Sequence, residues 1–156
     1  MNTEITEDTR RRALVLLFGV SFFNYLDRNV LGILLPAIKQ DLNLSDTQLG
    51  FITGIAFALF YAFMGIPIAR LADRLERRKV IAVALTLWSL MTAGCGLAMN
   101  FVQLAFARVM VGVGEAGATP PSHSLIADLF NKERRAFALS IYGVGSPVGL
   151  IIGFLL

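Results

Sequence analysis

An all-α integral membrane fold is what this sequence predicts, and three observations predict it. Apolar residues make up 56% of the 156 and charged residues only 16%, where soluble domains run near a quarter charged. The apolar residues fall into five long runs, each close to the roughly 17–25 residues that a helix needs to cross bilayer hydrocarbon. Eleven of the fourteen Lys and Arg gather in the tail and in alternate gaps between those runs. Lipid offers no partner to a free backbone amide, so the runs are expected to be helical throughout.

A tail, 1–12, precedes the first span, 13–36. Arg10-Arg11-Arg12 followed by Ala13–Phe18 superficially resembles a secretory signal, but the apolar run continues past Asp27-Arg28 to Pro36 without a small-residue cleavage pattern. The second span, 47–71, is introduced by Leu44-Ser45-Asp46-Thr47-Gln48-Leu49, a capping box with Ser45 as the cap, Gln48 reaching back and Leu44 stapled to Leu49. The third span is 80–99 and the fourth 102–130, where Pro120-Pro121 should kink or interrupt the helix. The fifth, 136–156, ends at Leu156 inside an apolar run with no polar flank, so a fragment of a longer chain is expected. Small residues recur every four positions at Gly50, Gly54, Ala58 and Ala62 and again at Gly145, Gly149 and Gly153, spacing that lets helices approach closely. Whether each stripe meets one of these five helices or a missing partner stays open.

Orientation follows from the basic residues. Arg10, Arg11 and Arg12 in the tail, Arg70, Arg74, Arg77, Arg78 and Lys79 in the second gap, and Lys132, Arg134 and Arg135 in the fourth are eleven of the fourteen. They lie on one side, which the positive-inside rule makes the cytoplasm. The amino terminus is therefore expected inside, and the short tail and loops suggest a cell inner membrane.

Four charges sit where lipid should be: Asp27, Arg28, Arg108 and Glu115. Each costs several kcal/mol if unpaired in lipid, so they are expected to face one another or a watery cavity. At ~1.5 Å per residue, Asp27 lies about 13 Å from the outer surface, with Arg108 and Glu115 at about 8 and 18 Å. Asp27 and Arg28 point roughly 100° apart, so only one can aim straight at the fourth helix. Ser21 and Asn24 share the face of Arg28. A buried network that only fixes helix register is the plainer reading. The sharper one makes Asp27 and Glu115 proton-titratable, with Arg28 and Arg108 as anion anchors or counter-charges. An arginine moving between a bound anion and a carboxylate would couple binding to protonation, because burial favours the neutral acid and a guanidinium the charged one. His123, the only histidine, reads as a packing residue rather than a relay.

Several classes are excluded. The sequence holds no phosphate loop in strand–helix context, no nucleophile elbow and no metal-ligand cluster, so no enzyme, cofactor or metal is expected. Gly112-Val113-Gly114 lacks a preceding strand. The basic residues form no aromatic-interleaved patch, which argues against nucleic acid. Cys95, the one cysteine, allows no intramolecular disulfide or CxxC site.

The second gap, Ala69-Arg70-Leu71-Ala72-Asp73-Arg74-Leu75-Glu76-Arg77-Arg78, resembles the hallmark loop of the major facilitator superfamily, Gly-x-Leu-Ala-Asp-Arg-x-Gly-Arg-Arg. Ala69 and Glu76 replace its glycines. Arg108-Val109-Met110-Val111-Gly112-Val113-Gly114 resembles the fourth-helix arginine motif, and Gly145-Ser146-Pro147-Val148-Gly149 partly resembles the fifth-helix Gly-Pro motif. Within the superfamily, Asn24-Tyr25-Leu26-Asp27-Arg28 with Val30-Leu31, Val111–Ala116 and Ile126-Ala127-Asp128-Leu129-Phe130 are similar to the Spinster family of lysolipid and sphingolipid transporters. The resemblance implies a twelve-helix fold of two six-helix halves, of which 13–156 supplies the first five helices. It implies alternating-access transport of a lysophospholipid or related amphipathic anion, linked to protons through Asp27 and Glu115. Arg28, Arg108 and Asn24 would meet substrate or counter-charge, and Asp73, Arg74, Arg77 and Arg78 would latch the cytoplasmic side. The implied partners are membrane lipid, the substrate anion, protons and the missing carboxy-terminal half. An organic-anion/proton symporter of the same superfamily is the rival, since Asn-Tyr-Leu-Asp-Arg also occurs there. A non-transporting scaffold or receptor is the reading from another class. The aromatic residues Phe57, Phe60, Tyr61 and Phe63 could line a path for a lipid tail.

Overall fold

The computed structural model describes residues 6–155, and among them it contains helices and no strand. Five helices are long and apolar enough to cross a membrane: α1 Glu7–Asp41, α2 Asp46–Arg74, α3 Arg77–Gly96, α4 Phe101–Leu129 and α5 Lys132–Leu155. The helix at α4 is the centre of the bundle, with 56% of its apolar window buried against 17–28% in the others. Its flanks are α2 and α3, while α1 runs along α5.

The ends of the helices differ from expectation for local reasons. Helix α1 starts six residues before the expected span, so part of the tail is helical. Thr6 caps it, accepting from the Thr9 amide at 3.3 Å, Glu7 and Asp8 occupy the first turn, and Asp8 pairs with Arg12 at 2.7 Å. Acidic residues there meet the positive end of the helix dipole. Glu7 also pairs with Arg134 at 3.2 Å, tying the start of α1 to the start of α5. At the other end Pro36 lies inside the helix rather than closing it, and the chain turns at Asn43, whose φ of 51° is one that asparagine tolerates. The expected capping box is present: Ser45 accepts from the Gln48 amide and Gln48 accepts from the Ser45 amide. Leu49 packs against the cluster of Leu44, Ile52 and Leu104.

Two features of the spans stand out, the first unforeseen and the second expected. Residues 51–55 of α2 form a π-turn, where the Thr53 hydroxyl donates to the Leu49 carbonyl at 2.8 Å. In α4 the helix stops at Ala116 and restarts at Thr119, so Pro120 and Pro121 fall in a first turn, where a missing amide costs little. The third span ends at Gly96 rather than Met99, because Asn100 is already the cap of α4 and accepts from the Gln103 amide at 3.0 Å.

The two glycine stripes are opposite in use. Gly145 lies on α1, where an added Cβ would sit 2.8 Å from the Phe18 carbonyl oxygen and 2.9 Å from Ser21 Cβ. Gly153 is similarly tight, 3.0 Å from Asn29 Cβ. Gly50, Gly54, Ala58 and Ala62 are all exposed on the outer face of α2. Apolar packing occurs in two clusters. One joins Leu14, Leu17, Ile81, Trp88, Ile126 and Tyr142 toward the arginine-rich end, and the other surrounds Ile52 and Leu104 at the opposite end. The four intramembrane charges lie between them. Large side chains such as Val15, Phe63, Val83 and Phe137 point outward, as a lipid-facing surface requires.

Gly145→Ala therefore forces α1 and α5 apart and is expected to cost about 1–3 kcal/mol, read as a lower thermal midpoint of the full-length protein in detergent. Gly94→Ala, with nothing within 4 Å of the added methyl, is expected to leave that midpoint unchanged or raised.

Candidate functional site

Glu115 is the most deeply buried charge, with no exposed side-chain surface. Glycines on α4 bring it there. A Cβ at Gly112 would sit 3.2 Å from the Phe57 carbonyl oxygen on α2, one at Gly114 would sit 2.8 Å from Trp88 Cβ on α3, and one at Gly117 would sit 2.9 Å from Ala84 Cβ. With hydrogen on those positions the backbones of α2 and α3 press against α4, and the carboxylate beside them loses solvent.

Its partner is Arg28 on α1. Nη2 and Nε of Arg28 both donate to Glu115 Oε2, at 2.6 and 2.7 Å. The guanidinium carbon lies 4.7 Å from the ring centre of Phe57, 5.1 Å from Tyr61 and 5.6 Å from Tyr25. Phe57 and Tyr61 stack at 5.9 Å. Each such contact is worth about 0.5–2 kcal/mol, more where water is excluded. Phe57 and Tyr61 of α2 thus hold a cation, while Phe63 points outward. One oxygen of the acid, Oε1, has no partner.

The neighbouring charges are arranged differently from expectation. Asp27 accepts a hydrogen bond at 3.1 Å from the indole of Trp88. Arg108 forms no ion pair among the described residues; it is 5% exposed, its Nε has no partner and its guanidinium lies 5.1 Å from the Phe57 ring. The Phe57 ring therefore touches both guanidinium groups. Of the four charges, only Arg28 and Glu115 form an ion pair. Trp88 escaped the sequence reading. It is the single tryptophan, placed mid-span where tryptophans usually sit at the interfaces, and that misplacement was the available signal.

Arg28 lines a cavity of about 400 Å³ between α1, α4 and α5. Ser21, Asn24, His123, Tyr142 and Ser146 also face it. Ser21 and Ser146 hydrogen-bond across α1 and α5 at 3.0 Å, and Nδ2 of the buried Asn24 has no partner. Asn24, Ser21 and Arg28 thus share one face, as their spacing predicted. His123 does pack, its ring edge-on to Tyr142 at 5.1 Å, but it also borders this cavity.

At the arginine-rich end, Arg77 forms an ion pair with Asp128 of α4. Asp73, Arg74 and Arg78 are exposed around it. The loop is thus joined to α4 through one of the four residues expected there, and its acceptor, Asp128, belongs to the Ile126–Phe130 segment.

The described residues thus form an apolar-walled helix bundle with a buried acid–arginine pair beside a cavity. Residues 17–156 match the Major Facilitator Superfamily, and the chain belongs to it. Crystal structures of a bacterial homologue of the human lysosomal transporter Spinster, inward-facing and either unoccupied or occupied, superpose with a TM-score of 0.91 over 95% of this chain at 42% identity. The chain is 43% identical over 87% of its length to an MFS-type efflux pump of Mycolicibacterium smegmatis. It is 32% identical over 87% to a hexuronate transporter of Bacillus subtilis, and 34% identical over 93% to protein spinster homolog 1 of Homo sapiens. It spans 28–32% of the length of those three relatives and 31–32% of the crystallised homologue.

Breaking one side of a buried ion pair costs about 3–5 kcal/mol because the survivor stays charged and alone. Arg28→Met and Glu115→Gln are each expected to lower the thermal midpoint of the full-length protein. The double variant should cost less than the sum, with a coupling of about 0.5–3 kcal/mol. Strict additivity in that double-mutant cycle contradicts the pairing.

Proposed function

We propose that the complete protein is a proton-linked secondary transporter that moves a lysophospholipid or a related amphipathic anion by alternating access. The observation that carries this reading is the Arg28–Glu115 pair on the wall of a polar cavity. A substrate anion reaching Arg28 competes with Glu115 for the same N–H groups. Once the guanidinium turns to the substrate, Glu115 is left as a buried carboxylate with no cation, and taking a proton is the low-cost outcome. Solute binding and protonation are then one event. Asp27, held by Trp88, is the second proton-carrying group. Arg108 faces the same space as Asp27, and Asn24 offers a free amide to the bound solute.

The remaining parts follow from the same reading. The five helices belong to a six-helix amino-terminal half, and a second half closes the cavity, in keeping with relatives about three times longer. The arginine-rich end is cytoplasmic, the protein sits in a bacterial inner membrane, and Arg77–Asp128 with Asp73, Arg74 and Arg78 forms the inner latch.

A second reading, an organic-anion/proton symporter taking a small hydroxylated acid, is favoured by the hydroxyl- and amide-rich lining of the cavity and by the hexuronate transporter among the relatives. Full-length protein in proteoliposomes separates the two. Labelled lysophospholipid is expected to move, faster with a pH gradient, and Glu115→Gln should remove the response to the gradient. Movement of hexuronate alone supports the symporter, and movement of neither supports a scaffold or receptor.

A further inference from the structure

Asp27 and Arg28 are neighbours in the chain, yet they open into different cavities. Arg28 lines the cavity described above. Asp27 lines a second, of about 260 Å³, enclosed by α1, α3 and α4, and no residue lines both. Phe57 contacts both guanidinium groups, and the buried Trp88 donates to Asp27. The second cavity runs along α1 from Asp27 to Asp41, fourteen residues or about 21 Å of helix, and Asp41 is exposed at the end opposite the arginine-rich loops.

Its lining is not that of a dry packing defect. Oγ1 of Thr92 and Nε of Arg108 are buried without a hydrogen-bond partner, and both residues face this space. Much of the wall is apolar, but unpartnered buried polar atoms facing a roomy space hold water, and the volume accommodates several molecules at ~30 Å³ each. The ionisable groups around Asp27 are Arg28 on its own helix, Cys95 on α3, and Arg108 and Glu115 on α4. Trp88 is its hydrogen-bond donor from α3. Near Asp27, α5 meets α1 through Gly149 and Gly153, which lie against Phe22, Leu26 and Asn29 and bring no ionisable group.

We propose that this second cavity is a hydrated proton route joining Asp27 to the membrane face opposite the arginine-rich loops, separate from the path of the solute. A proton entering at Asp41 passes along hydrogen-bonded water, each molecule taking one proton and giving one up, and the last adds to a carboxylate oxygen of Asp27. Return along the same chain regenerates the carboxylate. While Asp27 is ionised its charge offsets that of Arg108 in the same cavity, so the guanidinium does not bar the incoming proton. A carrier built in this way admits protons and solute by different doors.

The inference rests on the transport reading, but its first test does not need transport. Cys95, the one cysteine of this chain, lines the cavity and reports whether it is wet. Full-length protein in oriented vesicles is treated with a membrane-impermeant methanethiosulfonate, and the Cys95 peptide is read by mass spectrometry. Modification is expected severalfold faster from the Asp41 side than from the arginine-rich side. A bulky adduct at Cys95 should slow pH-driven uptake while leaving solute exchange without a gradient intact. Lack of modification by the impermeant reagent, whether or not permeant N-ethylmaleimide reacts, overturns the proposal, as does modification only from the arginine-rich side. Modification with no solute flux of any kind leaves the wet cavity standing and overturns the transport reading instead.

Discussion

A carboxyl group with no exposed surface in a membrane-spanning bundle needs a cation or a proton, and the pairing of Glu115 with Arg28 organises the rest of the structure. Hydrogen at Gly112, Gly114 and Gly117 lets α2 and α3 press against α4 and shut water away from the acid. Phe57, Tyr61 and Tyr25 hold the guanidinium where it meets the acid. Apolar clusters at the two ends of the bundle confine these charges to one layer. Such a pair adds little net stability, because desolvating both ions offsets their attraction.

The helical turn between consecutive residues gives that layer its division of labour. Side chains about 100° apart on α1 cannot both reach α4, so Arg28 reaches Glu115 while Asp27 turns to Trp88 and the second cavity. Phe57 is placed where a bulky apolar ring contributes most, against both arginines. Two like charges are thereby kept in one layer without sharing one compartment.

Much of this was legible in the sequence because bilayer thickness and backbone hydrogen bonding leave few options. The five spans, the Ser45–Gln48 box, the interruption at Pro120-Pro121 and the clustering of the four charges follow from local rules. What was not legible depends on which helices meet. The stripe at Gly145 and Gly153 meets α1, whereas the one at Gly50 and Gly54 faces outward, and the same spacing serves both. The choice of Trp88 rather than an arginine as the hydrogen-bond donor to Asp27 is likewise a matter of helix rotation. The extension of α1 back to Glu7 depends on a cap and an ion pair in a stretch too polar to count as a span. The π-turn at 51–55 has no sequence signature beyond the glycines at 50 and 54.

The central claim, that Glu115 exchanges Arg28 for a proton when solute binds, is tested most directly by infrared difference spectroscopy on the full-length protein. The account predicts that adding the transported anion produces a protonated carboxyl band, and that this band is absent in Glu115→Gln. Solute binding without such a band, or a band that survives in Glu115→Gln, would contradict it.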